Sequence, residues 1–456
     1  MSKKQLTIEE KLQNALVPAE EQPYQVPDNW CWVRENAVLY NMESRKPSGE
    51  IFSYIDIDAI DNSRQEVLFP KTLPVSKAPS RASRKLHNGD TLFSLVRPYL
   101  MNIAYIDEEL CKCIASTGFY VCSPRENVVN KWLYWFMVSP YTVYGLTTYM
   151  KGDNSPSIRG GDIEMFPLPL PPLPEQQRIV DRIESLFAKL DEAREKIQGV
   201  LDGAELRKAA ILHQAFTGKL TANWRRTHGV SDDSWKEAKL GDVCKINPPK
   251  IDANKFNEDL EVSFIPMADV SDITGEITGY QTRKLSEVKN GFTNFQENDV
   301  VFAKITPCME NGKSAIIGKL KNDIGYGTTE FFVIRSSARI INKFVYHLVR
   351  SSEFRSKAKS NMSGAVGQQR VPKSFMQQYL IKLPTVPEQQ EIVSLLDNLL
   401  AKERSIVSTC EKSLATIDTI KKSILARAFR GELGTNDPTE PSSINLLKEI
   451  LNQPSS

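Results

Sequence analysis

The chain has 456 residues, too many for one hydrophobic core, and this length favours roughly two to four domains. Its 58 Lys and Arg and 56 Asp and Glu give a formal charge of +2, so no overall field marks a polyanionic partner. No run approaches the roughly 18 apolar residues of a membrane span, and the first residues lack the apolar core of a signal peptide. Seven cysteines are too few for a disulfide framework. These features predict a reduced, cytoplasmic, multidomain protein.

Positive charge is concentrated in parts of the chain. Residues 235–386 carry a net charge of about +6, whereas residues 27–173 carry about −1. Between Glu66 and Asp90 there is no other acidic residue, and prolines and serines exclude a packed helix. We therefore expect an exposed basic loop that can bind phosphates, with a merely solvated loop as the alternative. Its basic residues are Lys71, Lys77, Arg81, Arg84 and Lys85.

Two segments of the sequence occur twice. Pro-Glu-Gln-Gln-Arg-Ile-Val at 174–180 recurs as Pro-Glu-Gln-Gln-Glu-Ile-Val at 387–393, and Ile-Leu-His-Gln-Ala-Phe-Thr-Gly-Lys-Leu at 211–220 is similar to 424–433. Both intervals are 213 residues (387 − 174 and 424 − 211), so nothing is inserted between them. A loop tolerates insertions, whereas one added residue in a helix rotates everything beyond it by about 100°. The repeat therefore predicts two long helices.

Apolar residues spaced alternately by four and three positions support these helices, at 174–220 and 387–433. Proline and glutamate suit the first turn of each helix, and Gly218 and Gly431 suit the ends. About forty residues at 1.5 Å each make a rod of about 60 Å. A helix this long with a narrow apolar stripe needs a partner, so we predict a two-helix coiled coil; packing on separate cores is the alternative. The predicted pairing residues are Ile179, Ile183, Leu186, Leu190, Ile197, Ile211, Ile392, Leu396, Leu399, Ile406, Ile417 and Ile424.

The segments that precede the two helices resemble each other more weakly. Asn-Lys-Trp-Leu-Tyr at 130–134, for example, matches Asn-Lys-Phe-Val-Tyr at 342–346. Short apolar strands and one aromatic-rich helix predict a mixed α/β globule before each long helix. The expected fold class is α+β with an internal pseudo-twofold repeat. The predicted parts are an N-terminal segment (1–26), a first domain (27–173), a first helix (174–220), a linker (221–234), a second domain (235–386), a second helix (387–433) and a tail (434–456), whose apolar run 444–447 is expected to dock on a partner.

The sequence offers no catalytic or metal site. Asn-Pro-Pro-Lys at 247–250 is similar to the loop that grips a flipped adenine in amino-methyltransferases, but a lysine replaces the aromatic residue that stacks on the base. Gly-Lys-Ser at 312–314 resembles the end of a P-loop, but Pro307 takes the place of its first glycine. Cys111 and Cys113 have no second pair at zinc-finger spacing, and the four histidines are scattered. Structural roles are expected for all of them.

Taken together, these features resemble the specificity (S) subunit of a type I restriction–modification enzyme. The resemblance rests on the segments 172–180 and 386–393, the helix ends 215–220 and 428–433, and Thr-Ala-Asn-Trp-Arg at 221–225. It implies a non-catalytic subunit whose two target-recognition domains each read one half of an asymmetric, bipartite site in double-stranded DNA. The two helices would then be antiparallel, set the gap between the half-sites and dock two methyltransferase (M) subunits.

The resemblance also implies where the chemistry takes place. The M subunits hold S-adenosylmethionine, and restriction (R) subunits add ATP-driven translocation and cleavage. No cofactor is therefore expected in this chain, while S-adenosylmethionine, ATP and magnesium belong to the partner subunits. The expected partners are double-stranded DNA, two M subunits and R subunits, with no membrane. Two alternatives stay open: a self-sufficient DNA adenine methyltransferase that uses 247–249, and a two-headed protein-interaction scaffold.

Candidate DNA-contacting residues are basic, amide, hydroxyl and aromatic side chains in predicted loops, because such groups contact phosphates and base edges. A net charge near −1 is unusual for a nucleic-acid-binding domain, so we expect the M subunits to supply part of the phosphate attraction in the first domain. The candidates are Lys77, Arg81, Arg84, Lys85, Arg97, Tyr99, Asn154, Ser157 and Arg159 in the first domain, and Lys304, Thr306, Lys313, Asn361, Gln368, Gln369 and Arg370 in the second.

Overall fold

The computed structural model describes residues 6–365 and 367–454. Residues 1–5 of the predicted N-terminal segment, residue 366 and residues 455–456 of the predicted tail lie outside the described part. The chain divides into two compact units, whose described parts are residues 6–197 with 412–454, and residues 198–365 with 367–411. Both units combine helices with small sheets, and the two long helices contribute residues to both.

The elements are numbered in chain order. The strands are β1 (Cys31–Arg34), β2 (Ile51–Ile55), β3 (Ile60–Asp61), β4 (Glu66–Val67), β5 (Lys71–Pro74), β6 (Ala82–Lys85), β7 (Thr91–Ser94), β8 (Ile103–Tyr105), β9 (Ile114–Ser116), β10 (Phe119–Cys122), β11 (Pro167–Leu170), β12 (Lys236–Lys239), β13 (Cys244–Ile246), β14 (Glu261–Ile265), β15 (Gln281–Lys284), β16 (Thr293–Phe295), β17 (Val300–Ala303), β18 (Ser314–Ile316), β19 (Gly325–Gly327), β20 (Phe331–Ser336) and β21 (Leu380–Leu383). The helices are α1 (Ile8–Ala15), α2 (Asn130–Val138), α3 (Pro140–Thr147), α4 (Gly160–Glu164), α5 (Leu173–Asp202), α6 (Ala204–Phe216), α7 (Ala222–Thr227), α8 (Leu240–Val243), α9 (Leu285–Val288), α10 (Asn342–Arg350), α11 (Ser352–Ser360), α12 (Lys373–Gln378), α13 (Val386–Ala428) and α14 (Ser443–Asn452).

The first unit contains a four-stranded sheet with the order β5-β2-β9-β6 and a three-stranded sheet with the order β10-β7-β8. Within the first sheet β2 runs parallel to β9, with Tyr54 opposite Ile114, and the other pairs are antiparallel. Strands β1 and β11 form a separate antiparallel pair. The main core lies around α2, where Trp132 and Phe136 are fully buried. Ile179 of α5 packs into the same core, which fixes the start of that helix.

The second unit repeats this strand arrangement. Its sheets have the orders β15-β14-β19-β16 and β13-β20-β17-β18, and β12 pairs with β21. Strand β14 runs parallel to β19, with Ser263 opposite Gly325, as β2 does to β9. The core around α10 includes Phe344, together with Leu212 of α6 and Ile392 of α13. The sheets of the described residues therefore correspond in strand order, with two differences: β13 adds a fourth strand to the second sheet of the second unit, and the β3–β4 pair occurs in the first unit alone.

The basic stretch from Lys71 to Lys85 is not the loop that the sequence predicts. Strands β5 and β6 form the two edges of the four-stranded sheet. A 3₁₀ turn at Val75–Lys77 follows β5 directly and leads into the short segment before β6. The prolines are compatible with strands because Pro74 ends an edge strand. Two of the basic residues are already paired: Lys71 Nζ lies 2.6 Å from Asp58 Oδ2, and Lys85 Nζ lies 2.6 Å from Glu43 Oε2.

The first long helix differs from the prediction of an unbroken helix at one residue. Gly203, with φ −81° and ψ −5°, separates α5 from α6. Backbone hydrogen bonds from Gly203 N to Gly199 O (3.3 Å) and from Arg207 N to Gly203 O (3.0 Å) span the break. Glycine weakens a helix interior by about 1 kcal/mol relative to alanine, which explains the local loosening. Helix α13 is continuous over 43 residues.

The apolar stripe of α13 departs from a strict heptad. Ile406, a predicted pairing residue, is 43% exposed, whereas Val407 is half-buried. Heptad positions drift by about 20° per heptad on a straight helix, so the less exposed face instead follows Leu396, Val407, Leu414 and Leu425, spaced by 11, 7 and 11 residues. Of the other predicted pairing residues, Ile179, Ile183, Ile392, Leu396 and Ile417 are buried, and Leu186, Leu190, Ile197, Ile211, Leu399 and Ile424 are half-buried.

The tail docks within its own chain. Its apolar run belongs to α14, whose side chains Leu446, Leu447 and Ile450 are buried in the core of the first unit. Helix α14 packs against α1, and Lys11 Nζ donates a hydrogen bond to Leu451 O (2.9 Å). The prediction that this run docks on a partner is therefore wrong. These side chains complete the hydrophobic core of the first unit, and the sequence of the first domain alone does not show that this core is incomplete.

The substitution Leu447→Ala is expected to lower the free energy of unfolding by about 2–5 kcal/mol, since it leaves a cavity in a packed core. Ile444→Ala on the same helix is the control, because Ile444 is 37% exposed, and we expect a change of about 1 kcal/mol or less. Urea denaturation followed by circular dichroism measures both. Equal effects of the two substitutions would contradict a docked tail helix.

Candidate nucleic-acid interface

The repeated Pro-Glu-Gln-Gln segments anchor the starts of the long helices. In the first unit Gln176 is fully buried; its Oε1 accepts a hydrogen bond from Val129 N (2.9 Å) and its Nε2 donates one to Pro171 O (3.2 Å). Val129 is the N-cap residue of α2, so the amide satisfies a backbone group that the helix leaves unpaired. This ties α5 to the helix at the centre of the core.

The same anchor occurs in the second unit. Gln389 Oε1 accepts a hydrogen bond from Ile341 N (3.0 Å), at the N-cap of α10, and its Nε2 donates to Pro384 O (2.9 Å). The sequence signal for this role was the repeat itself. The sequence places the neighbouring glutamate at the positive end of the helix dipole, and no local pattern shows that the glutamine is buried.

The glutamates of the two segments are buried as well. In the second unit Glu388 Oε1 accepts hydrogen bonds from Thr221 Oγ1 (2.7 Å) and Arg225 Nη1 (2.6 Å). In the first unit Glu175 accepts from Trp30 Nε1 (2.7 Å) and Asn436 Nδ2 (2.9 Å). Arg225 follows the end of α6, and Asn436 follows the end of α13. In each unit, the residues after one long helix therefore hold the first turn of the other.

Ion pairs join the two long helices in both units and give their relative direction in the first. In the first unit Lys421 Nζ lies 2.5 Å from Asp191 Oδ1, and Arg194 pairs with Asp418. As one residue number rises the other falls, so these segments run antiparallel. In the second unit Arg207 Nη2 lies 2.6 Å from Glu403 Oε1. Both residues occupy positions of the apolar stripe, and their pairing explains why charged residues are found there.

A histidine connects the second globule to α13. His347 of α10 is buried, and its Nε2 lies 3.0 Å from Asp397 Oδ1, while Lys343 Nζ lies 2.7 Å from Asp397 Oδ2. The hydrogen bond to His347 is the main reason why the pKa of Asp397 is lowered from 3.8 to about 2. The carboxylate is therefore charged over the whole neutral range and holds α10 against α13.

Two loops meet on the surface of the first unit. One follows β7 and contains Arg97 and Tyr99; the other is the 151–159 loop that follows α3. Arg97 N donates a hydrogen bond to Pro156 O (2.9 Å), and its Nη2 donates to Asn154 O (3.0 Å). The predicted residues Arg97, Tyr99, Asn154, Ser157 and Arg159 thus belong to one pair of adjoining loops, in which all but the half-buried Ser157 are exposed.

The other candidates of the first unit lie on the four-stranded sheet. Backbone hydrogen bonds join Thr117 N to Arg81 O (2.8 Å) and Leu95 N to Gly118 O (2.8 Å), so the start of β6 lies near the end of β7. Lys77 and Arg81 are exposed, whereas Arg84 is half-buried, and Lys85 is half-buried with its ammonium group paired to Glu43.

The second unit brings the equivalent loops together. Thr306 N donates to Gln369 O (3.0 Å), Val371 N donates to Lys304 O (2.9 Å), and Ile305 bridges to Arg370. These contacts match those of Val96 and Arg97 with the 151–159 loop. Each unit therefore presents one pair of loops with the same frame of backbone hydrogen bonds and different side chains. The local conformations differ, since Arg97 has a φ of 48° and Thr306 precedes a cis proline.

Several candidates of the second unit are already occupied. Arg370 forms hydrogen bonds with both carboxylate oxygens of Glu330 (Nη2 to Oε1 2.9 Å), which lower the pKa of Glu330. Lys313 Nζ donates to Met267 O (3.1 Å), and Lys304 lies over the ring of Phe332. Asn361 and Gln368 are exposed, while Thr306 and Gln369 are half-buried. The sequence did not reveal Glu330 as a partner, because it lies 40 residues from Arg370.

The motifs that resemble catalytic loops have structural contacts. Asn247, at φ 48°, accepts a hydrogen bond from Val333 N at its Oδ1 (2.9 Å) and donates one from its backbone N to Val333 O (2.7 Å). Its side chain thus caps the β13–β20 pair. Within residues 6–365 and 367–454, no group of three or more His, Cys, Asp and Glu could hold a metal ion. Among the helices of these described residues, none combines the length and the hydropathy of a membrane-spanning segment.

Comparison with known proteins identifies the family. A family model described as the type I restriction modification DNA specificity domain matches residues 40–201 and 232–410. The chain belongs to the type I restriction–modification specificity subunits. The two matched stretches correspond to the two repeats, each with its globule and most of its long helix.

Individual relatives are similar over different lengths. The specificity subunit of the type I restriction enzyme EcoAI from Escherichia coli is 33% identical over 263 residues, covering 48% of this chain and 44% of that protein. The chain thus spans less than half the length of that relative. A chain in a structure of complex assembly and conformational transition of the type I R-M system is 25% identical with a TM-score of 0.70, covering 90% of this chain and 100% of that one. The crystal structure of the HsdS subunit from Thermoanaerobacter tengcongensis is 25% identical with a TM-score of 0.65, covering 90% and 99%.

The substitution Asp397→Asn is expected to lower the stability of the second unit above pH 3.8 by about 1 kcal/mol, because the carboxylate is 42% exposed and solvent weakens the pairing. A carboxyl whose pKa is lowered on folding stabilises the fold above its unfolded pKa, and this contribution disappears as the pH falls through about 2. Urea denaturation between pH 7 and pH 2.5 measures the difference between wild type and variant. A difference that does not narrow below pH 3.8 would contradict the ion pair.

Proposed function

We propose that this chain is the non-catalytic DNA-recognition subunit of a type I restriction–modification complex, in which each unit reads one half of an asymmetric, bipartite site in double-stranded DNA. The observation that carries the proposal is the pair of adjoining loops in each unit, with a common frame of backbone hydrogen bonds between the loops and different side chains. Arg97 and Thr306 occupy corresponding places in the two frames. A shared frame with different side chains suits two readers of different sequences.

We assign the long helices the role of a spacer. Their ion pairs, their buried stripe and the buried glutamates support an antiparallel coiled coil with pseudo-twofold symmetry. Helix α13 has 43 residues, which corresponds to about 65 Å at 1.5 Å per residue. Elements that enter successive major grooves on one side of DNA lie about 34–36 Å apart. The helix is long enough to hold two readers at that separation.

The partners follow from the same proposal. Apolar side chains remain exposed on the long helices: Val200 is 38%, Leu206 77% and Ile420 40% exposed. Single exposed apolar side chains do not identify a partner, and we assign the docking of two M subunits to the long helices from the family to which the chain belongs. S-adenosylmethionine would bind to the M subunits, and ATP and magnesium would act with the R subunits. No step of the chemistry is assigned to this chain.

The geometry disfavours the alternative of a self-sufficient methyltransferase. An adenine-gripping loop needs a free amide and an aromatic face, whereas the side chain of Asn247 is used by Val333 N and Lys250 offers no ring. The alternative of a protein-interaction scaffold makes a different prediction, because its globules would have no influence on which DNA sequence is methylated.

Modified-base sequencing tests the proposal in a host without endogenous adenine methylation. The cognate M subunit expressed with this chain is expected to methylate one bipartite motif, whereas the M subunit alone leaves that motif unmethylated. Replacing residues 27–170 with those of another family member should change one half-site and leave the other as it was. Methylation by this chain without M would support the methyltransferase, and a motif that does not depend on this chain would support the scaffold.

A further inference from the structure

We propose that Arg97 reads a guanine base edge in the half-site of the first unit, rather than contacting a phosphate. This inference rests on the proposed function and adds a specificity-determining residue to it. It follows from three features of Arg97: the conformation of its backbone, the state of its guanidinium group, and the residue that takes its place in the second unit.

The backbone of Arg97 is held in an uncommon conformation. Its φ of 48° and ψ of 61° lie in the left-handed region, where glycine, asparagine and aspartate are favoured over arginine. Hydrogen bonds from Arg97 N to Pro156 O and from Leu100 N to Arg97 O (both 2.9 Å) fix it there, next to the buried Pro98. Such conformations persist where the surroundings enforce them, and they cluster at ligand-binding sites. A glycine would fit this turn without strain, so the arginine side chain itself is the feature that needs a reason.

The guanidinium of Arg97 is positioned and still available. Its Nη2 donates to Asn154 O (3.0 Å), which anchors the group across the two loops. Among residues 6–365 and 367–454, no carboxylate lies within 4.0 Å of it, in contrast to Arg370, which is paired with Glu330. An arginine carries five N–H donors, so the remaining ones can form the bidentate contact to O6 and N7 of guanine. An anchored fork matches the bidentate geometry of a guanine edge and that of a phosphate. The test below separates the two, because a phosphate contact carries no base preference.

The second unit has a different residue at this place. Thr306 precedes Pro307, as Arg97 precedes Pro98, and Thr306 N bonds to Gln369 O in the opposite loop as Arg97 N does to Pro156 O. The threonine side chain is short and half-buried, so it cannot form a bidentate contact with guanine. Loss of the Arg97 side chain should therefore affect one half-site only.

The substitutions Arg97→Lys and Arg97→Gly test the inference by modified-base sequencing of the complex with the M subunit. Lysine keeps the charge but not the fork, and glycine keeps the turn without the side chain. Both variants are expected to relax one G·C position of one half-site, with discrimination there falling about 5- to 150-fold. The unaltered second half-site serves as an internal control for folding. Arg64→Lys, at an exposed arginine in the β3–β4 turn, should keep the wild-type motif.

An unaltered motif in the Arg97→Lys variant overturns the inference. This holds if the level of methylation stays the same, and also if it falls equally at all sites, as the loss of a phosphate contact predicts. The lysine variant decides the matter if the glycine variant does not fold, because an exposed lysine is tolerated at this surface. Relaxation of both half-sites also overturns it, since the effect would then not be local. None of these outcomes in the variants contradicts the proposed function, because the wild-type complex still methylates its motif. The proposed function fails only if the wild-type complex methylates no motif.

Discussion

Two buried glutamates determine how the long helices begin. Glu175 and Glu388 are inaccessible to solvent, and a buried carboxylate needs hydrogen-bond donors. Both oxygens of Glu175 have donors, whereas the donors of Glu388 meet at its Oε1. Those donors come in large part from residues that follow the end of the other long helix, among them Asn436 for Glu175 and Arg225 for Glu388. Neither helix can be shortened, lengthened or shifted alone without removing a donor from a buried charge. This constraint explains why the repeat keeps a spacing of 213 residues through the helices while the globules diverge.

The two globules are anchored to the long helices in the same way but differ in their surfaces. In both units a buried glutamine joins the start of a long helix to the N-cap of the central helix, so the sheets and loops are placed from the same point. Beyond this anchor the surfaces differ in charge. Arg97 in the first unit is held by a neutral carbonyl group, whereas Arg370 in the second is neutralised by Glu330. The net charge of a segment therefore says little about which cations are available to a ligand.

The sequence predicted those features whose signal is periodic or locally repeated. The two helices were placed within a few residues of their observed ends, and Gly218 and Gly431 have the positive φ expected after a helix. The first helix is interrupted at Gly203, and Ile406 faces solvent, because a strict heptad does not describe a straight helix over this length. Features that depend on distant partners were beyond reach. The edge strands around Lys71 and Lys85, the docked tail helix and the Arg370–Glu330 pair all depend on contacts between residues far apart in the sequence.

The role proposed for the paired helices is to set the distance between two readers. The test inserts four helix-forming residues after Gly203 and four after Val407. Each site lies four residues from a member of the Arg207–Glu403 pair. The insertions lengthen both helices by about 6 Å. The same four residues after the exposed Gly229 are the control. Methylation mapping should show a wider gap between unaltered half-sites, by about one or two base pairs, and the wild-type gap for the control. An unchanged gap in an active double-insertion variant would contradict the account.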